Sequence, residues 1–360
     1  VVSPLLAEPG AVAAEGADAG VAAHYGDPYA EQRAAVARWA VADNSHRGVL
    51  RITGPDRLSW LHSLTTQHLE ALSPAAATQA LVLSPQGHVE HHLTLADDGT
   101  ATWIHVEPGT AGSLLEFLSS MRFMLRVEPE DVTADYAVLA LLGKEIPADL
   151  AAGPDGARLD TARLDTARLD TARLATDHGT DLIVPRADLT ARVTALRAAG
   201  AALAGTWAQE ALRIAAGHPR FGLDTDHRTI PHEVGWIETA VHLNKGCYRG
   251  QETVARVHNL GHPPRRLVLL DLDGSEDRLP SHGDKVTTAD GTEVGFVGSA
   301  ARHYELGPIA LALVKRTTPA DADLRAAGVA AAQEVIVSPD AGANVQVDFK
   351  SLRGGLIGRR

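Results

Sequence analysis

Cys247 is the only cysteine in 360 residues, and it sits in Lys245-Gly246-Cys247-Tyr248-Arg249-Gly250-Gln251-Glu252. The thiolate is the reactive form of cysteine, and the flanking cations Lys245 and Arg249 favour it. The two glycines let the backbone turn sharply and approach a ligand closely. Three roles are open to such a residue: nucleophile or redox thiol, contact to a metal cluster, or structural turn. A single thiol cannot cycle an internal disulfide, although it can form a mixed disulfide or a sulfenic acid. Nor can one cysteine per chain hold an iron–sulfur cluster, so cluster chemistry would belong to a client or be bridged between chains.

Other polar groups are candidates too. From Lys245 to Arg266 five cations (Lys245, Arg249, Arg256, Arg265, Arg266) face one acid, Glu252. Such a stretch suits an anionic small molecule, or is a solvated basic loop. In Gly87-His88-Val89-Glu90-His91-His92-Leu93, strand alternation puts His88, Glu90 and His92 on one face and Val89, His91 and Leu93 on the other. Two histidines and a glutamate can bind metal, but period-two polar residues more often face solvent, so no metal ligand set is assigned. His91 is polar on an apolar face, which makes it a cavity residue or a hydrogen-bonded core histidine. Asp224 to Gly235 reads as a loop bordering a cavity. The chain has no Gly-x-Ser-x-Gly elbow and no strand-to-helix Gly-x-Gly-x-x-Gly, so neither a hydrolase triad nor a dinucleotide fold is supported.

Lys-Gly-Cys-Tyr-x-Gly-Gln-Glu resembles the signature of the YgfZ family of folate-binding proteins. These are relatives of the glycine-cleavage T-protein, implied in maintaining iron–sulfur enzymes. Further blocks are similar to that superfamily: Gly54-Pro55-Asp56-Arg57 with Leu61 and Leu64-Thr65-Thr66; Leu83-Ser84-Pro85-Gln86-Gly87-His88-Val89; Arg213-Ile214-Ala215-Ala216-Gly217 through Pro231, Glu233 and Gly235; and Gly291, Val294-Gly295 and Gly298-Ser299. They span about residues 48 to 315.

The resemblance implies three domains around a central hole that binds tetrahydrofolate or a related pterin. It implies Cys247 and Lys245 as the chemical pair. Arg213, Glu233, Lys245, Tyr248, Arg249, Gln251 and His91 become the ligand-binding set, and iron–sulfur proteins the clients. Two departures qualify it. The T-protein aspartate pair falls on His91 and His92, which argues against aminomethyl transfer. The family glutamate that contacts the pterin is Ala215, which offers no side-chain hydrogen bond. Folate recognition would then weaken, shift to an acid such as Glu233, or give way to another pterin or a deazaflavin. A one-carbon transferase is the enzymatic alternative.

The elements that must position these residues are legible in part. Gly48–Ile52 alternates as a strand, and Leu58, Leu61, Leu64, Leu69 and Leu72 recur at near-helical spacing. Ala80–Leu83 and His88–Leu95 flank the turn Ser84–Gly87. Ser113 with Glu116 predicts a capping box opening a helix over 114–125. Strands follow at Ala137–Leu142 and Asp181–Val184, with helices at Ala187–Ala199 and Trp207–Ala216. From Leu267, strand-like runs recur up to Val345–Phe349, which predicts a barrel. The expected fold is α+β: residues 1–46 a mobile extension and short helix, 47–262 a folate-binding body with a ferredoxin-like portion, and 263–350 the barrel. Leu159-Asp160-Thr161-Ala162-Arg163 repeats twice more and reads as an expanded loop or short exposed helix. The formal charge of −12 argues against general nucleic-acid binding. With no apolar run of transmembrane length and no basic-then-apolar start, the expected compartment is the cytoplasm.

Overall fold

The computed structural model describes residues 2–73, 76–147 and 179–342. The Leu159–Arg173 repeat and the Val345–Phe349 run lie outside these residues. In chain order, β1 (Val12–Ala13) and β2 (Ala22–His24) precede α1 (Pro28–Ala37), β3 (Trp39–Asp43), β4 (Gly48–Thr53) and α2 (Arg57–Leu64). Next come β5 (Ala77–Leu83), β6 (Val89–Asp97), β7 (Ala101–Val106), α3 (Ala111–Ser120), β8 (Glu128–Asp131) and β9 (Tyr136–Gly143). The middle of the chain gives β10 (Gly179–Pro185), α4 (Leu189–Ala198), β11 (Ala202–Ala204), α5 (Thr206–Ala215) and α6 (Gln251–Leu260). The last strands are β12 (Arg265–Leu272), β13 (Lys285–Thr288), β14 (Glu293–His303), β15 (Gly307–Lys315), β16 (Leu324–Ala326) and β17 (Val329–Val335).

Three larger sheets result. One runs β5-β6-β7-β4-β8, a second β10-β9-β3-β11, and a third closes as the barrel β12-β15-β14-β13-β16-β17. The second is the four-stranded portion expected of a ferredoxin-like unit. Closure leaves the barrel without edge strands, and its interior is aliphatic, from Val268, Leu270 and Val286 to Val314 and Val329. Leu61, Leu64, Leu114 and Leu118 of α2 and α3 cover one face of the first sheet. Val49, Trp103, Val138 and Ile183 join its other face to the second sheet. A third apolar layer brings Leu81, Leu83 and Val89 against Ile214 of α5, Trp236, Tyr248 and the barrel residues Leu267 and Leu311. This last layer positions the site.

The structure corrects several expectations. Residues 2–27 are not a mobile extension: Leu5 is 1% exposed, Val21 is fully buried, and Leu5 packs with Trp39 and Val193. Their low apolar density conceals this, because the anchoring is largely polar. The short helix expected within residues 1–46 is α1, which stops at Ala37, since Trp39–Asp43 pairs with β9 and β11 as a buried strand. The Leu58–Leu72 period is broken after Leu64, and Leu69 reaches the same core from a loop. The helix predicted over 114–125 begins at Ala111 and ends at Ser120, and Ser113 lies inside it, bonded back to the Thr110 carbonyl rather than capping. Leu125 is 41% exposed.

Candidate functional site

The α1–α5 layer, β6, β7, β9, the Gly217–Phe221 segment and the Trp236 turn enclose a cavity of 610 Å³, a volume in the range of small-molecule sites. Apolar wall comes from Leu141, Leu142, Leu212, Phe221, Trp236 and Val337. Polar wall comes from Arg47, Gln79, His92, His105, Glu107, Asp181, Arg213 and Arg220.

Of the two adjacent histidines, His92 reaches this cavity. Its ring stacks on Trp236 at 4.6 Å and 15°, and Nε2 lies 3.2 Å from Gln79 Oε1. Burial lowers its pKa to about 4, so the ring is neutral at pH 7. His91 shares its face with Leu93 and Leu95, in the core under α2 and α3, and is 9% exposed. Its assignment to the ligand set is therefore corrected. His91 keeps the face that alternation gives it, and a bulge moves only Val89, which joins the layer of Leu81, Leu83 and Trp236. Val82 pairs with His91 but Leu83 pairs with Val89, leaving Glu90 as the extra residue. One extra residue shifts alternation from one side of the bulge to the other.

A buried ionic network forms one end of the wall. Arg220 donates to Glu107 (2.6 Å) and to Asp18 (2.7 Å), and Arg47 lies 3.1 Å from Glu107. Burial alone would raise the pKa of Glu107, but the charges of Arg47 and Arg220 overcome it and hold it at about 2. Asp18 also meets His46 at 2.9 Å, which ties the N-terminal segment into the wall. His105 Nε2 stands 2.9 Å from Asp181 Oδ2, at ion-pair distance but off the line of a good hydrogen bond, and its Nδ1 has no partner. Arg47 Nε is likewise unpartnered and buried. An unpaired buried donor costs about 1–3 kcal/mol, so these two groups are where a polar ligand atom would gain most.

Arg213 lines the cavity, as expected, but has no donor left for a ligand. Nε and Nη2 hold Glu210 (3.0 and 2.7 Å), Nη2 also holds Ser299 (2.8 Å), and Nη1 holds Asp224 (2.8 Å) and the His218 carbonyl. All five N–H groups are consumed. Arg213 is a wall-positioning residue. Glu233 is fully buried outside the cavity lining, where it accepts from Arg265 (2.8 Å) and from the Ile230 amide (3.0 Å). It does not replace the missing acid at position 215.

The cysteine turn lies apart from the cavity. Cys247 is exposed. The Lys245 ammonium reaches the carbonyls of His62, Thr65 and Gln67. These include the orphan carbonyls and negative end of α2, which a cation complements. Burial lowers the Lys245 pKa to about 8, with the charge of Glu70 opposing the shift. Its position fixes α2 rather than activating the thiol. Tyr248 is in the apolar layer, 8% exposed, with the ammonium 5.1 Å from its ring centre. Arg249 pairs with Glu90 at 3.0 Å, and Gln251 Nε2 donates to the Lys245 carbonyl at 3.4 Å. Arg266 is fully buried beside Thr318 and Gln333, so the expected basic patch is dispersed by strand alternation and ion pairing.

Two glycines dock this turn onto the body. Gly250 has φ +83°, and a Cβ there would stand 2.6 Å from the Ser84 carbonyl oxygen; Gly87 has φ +82° and faces Thr253 at 2.7 Å. The two motifs, Ser84–Gly87 and Lys245–Glu252, are thus in backbone contact. Sequence reasoning missed Arg47, His105, Glu107, Asp181 and Asp18. Only His105 and Asp181 carried a signal, as polar residues inside strand-like runs.

Residues 5–245 match the GCVT N-terminal domain, and residues 265–348 match the glycine cleavage T-protein C-terminal barrel domain. The chain belongs to the T-protein family. An aminomethyltransferase of Rubrobacter xylanophilus is 30% identical over 80% of this chain and 79% of that protein. A putative chloroplastic transferase of Arabidopsis thaliana is 29% identical over 75% of this chain, which spans 65% of that relative's length. The glycine cleavage aminomethyltransferase T of Bartonella henselae shares the T-protein fold, with TM-score 0.76 and 18% identity over 92% of this chain and 94% of that one. No helix among the described residues is long and apolar enough to cross a membrane.

Proposed function

We propose that this T-protein family member is a YgfZ-like, cytoplasmic accessory protein that holds a reduced folate or related pterin in the central cavity and supports iron–sulfur clusters in client proteins. The observation that carries the reading is neutral His92, stacked on Trp236 at the cavity wall where the family resemblance expects a carboxylate. Of the carboxylates lining the cavity, Glu107 is held by Arg47 and Arg220 and Asp181 faces His105, while Glu238 and Glu305 also line it. An aminomethyl transfer needs a group able to take a proton beside the substrate amine; His92, held at a pKa of about 4, is a weak base, and its ring, stacked on Trp236 and bonded to Gln79, suits packing a flat ring.

The donor set fits such a ring. The apolar walls and Trp236 supply stacking surface, and His105 Nδ1 and Arg47 Nε supply unsatisfied polar atoms. When bound, a reduced folate would supply one-carbon or redox chemistry. Position 215 offers no acid to the pterin, so recognition rests on the Arg47 and His105 side. Cys247, exposed on its docked turn, is the group available to a client.

Thermal stability with tetrahydrofolate, other pterins and a deazaflavin tests the binding half. A ligand at 100 times its Kd adds about 2.7 kcal/mol. A shift with tetrahydrofolate supports the reading, a shift with another ring alone replaces the ligand, and no shift overturns it. Deleting the gene tests the client half: unchanged iron–sulfur enzyme activities under oxidative stress would overturn that. The transferase alternative draws on the names of the relatives, and clear methylene transfer from an amine donor would establish it.

A further inference from the structure

Beside the carbonyl cage of Lys245, His62, His68 and Glu70 each present a ligand atom within 4.8 Å of the others. His62 lies in the last turn of α2, and His68 and Glu70 follow in the loop. The His62 and His68 rings meet edge-on at 4.7 Å, and His242 lies 5.3 Å from His68. We propose that His62, His68 and Glu70 form a binding site for a zinc-like divalent transition metal. Two imidazoles and one carboxylate suit borderline-soft metals, whereas calcium and magnesium require mostly oxygen ligands.

The scaffold is built before any metal arrives. Lys245 binds the carbonyls of His62, Thr65 and Gln67; Thr66 donates to the Ala240 carbonyl (2.6 Å) and accepts from Leu81 N (2.8 Å); His242 N donates to the Thr66 carbonyl (2.9 Å). The ligands are therefore held on α2 and its following loop, which the 240–245 segment braces. Because a ring lone pair must face the metal, loading changes one existing bond. His62 Nδ1 now accepts from Leu69 N at 3.2 Å. Binding through Nδ1 replaces that amide, and binding through Nε2 moves the ring proton to Nδ1 and releases it. In both cases the Leu69 amide loses its acceptor. A metal here would clamp the last turn of α2 to the loop that follows it. The spacing His-x5-His-x-Glu has no motif of its own, which is why the sequence did not reveal it.

The test is equilibrium dialysis of the tag-free full chain against Co(II) and Zn(II), with Co(II) visible absorption and amide exchange at Leu69 as readouts. The expected result is one Co(II) per chain, displaced by Zn(II), with faster Leu69 exchange in the loaded protein. His68→Ala is expected to weaken binding by more than the roughly 10–100-fold that loss of an outer-shell partner costs. Glu70→Gln, at an exposed residue, should weaken it by roughly 10-fold or more, and exposed His227→Ala should leave it unchanged. No stoichiometric binding, or equal affinity in Glu70→Gln and the His62→Ala/His68→Ala chain as in the unaltered protein, would overturn the proposal.

Discussion

Gly250→Ala should destabilise the protein where Gly246→Ala, four residues away in the same turn, should not. Gly250 adopts φ +83°, and an alanine Cβ there would lie 2.6 Å from the Ser84 oxygen and 3.0 Å from both Gly87 Cα and Leu83 Cβ. The left-handed backbone costs an L-residue roughly 1–2 kcal/mol. Forcing the two turns apart adds about 1–3 kcal/mol, as overpacking does elsewhere. The closest contacts are backbone and cannot be relieved by a rotamer change. The total is about 2–5 kcal/mol, which in a chain of this size lowers Tm by roughly 5 °C or more. Gly246 is not left-handed, and a Cβ added there would meet nothing within 4 Å, so its alanine variant should stay within about 0.5 kcal/mol. Thermal melts followed by circular dichroism, with the alkylation rate of Cys247 as a second readout, distinguish the two. Melting points within about 1 °C of each other would refute the docking of one turn on the other, since the worked difference is several times larger.

Asp18→Ala removes one partner of buried Arg220 and should cost about 3–5 kcal/mol, seen as a lower Tm and easier proteolysis before residue 28; unchanged stability would mean that the N-terminal segment is not an anchor. Burial holds His91, His92 and His232 at about 4, below the unfolded value of 6.5. The unfolded chain then binds more protons between pH 6.5 and 4, so their stabilising effect is complete above 6.5 and lost as pH falls through that window. His92, beside Glu107, His105 and Arg47, contributes at most about 3 kcal/mol of this loss, and urea midpoints of His92→Gln should fall less steeply with acid than those of the unaltered chain. Ala215→Glu should tighten tetrahydrofolate binding about tenfold or more if a pterin amine faces that wall, measured by calorimetry; no gain would place the ring elsewhere.

The sequence alone determined the strands that flank the Ser84–Gly87 turn and the C-terminal barrel, but not the buried strand β3, which it read as part of an extension and helix. The strand-like runs from Leu267 onward are local signals, carried by side-chain type and period within a few residues. Along β6 alternation correctly sets His91 with Leu93 and His92 opposite, but the bulge at Glu90 moves Val89 to the His92 side, and a bulge depends on the partner strand. The N-terminal segment looked mobile since its anchors are polar: Asp18 reaches Arg220 across 202 positions, and no periodicity encodes an ion pair between distant segments. Arg213 and Lys245 show the same limit. Their sequence context predicted ligand contact, and only the packed structure decided that Glu210, Asp224, Ser299 and the α2 carbonyls would occupy their donors first. Residue type fixes how many hydrogen bonds a group can make; tertiary proximity fixes with whom, because desolvated charges must be satisfied by whatever neighbours the fold brings within reach.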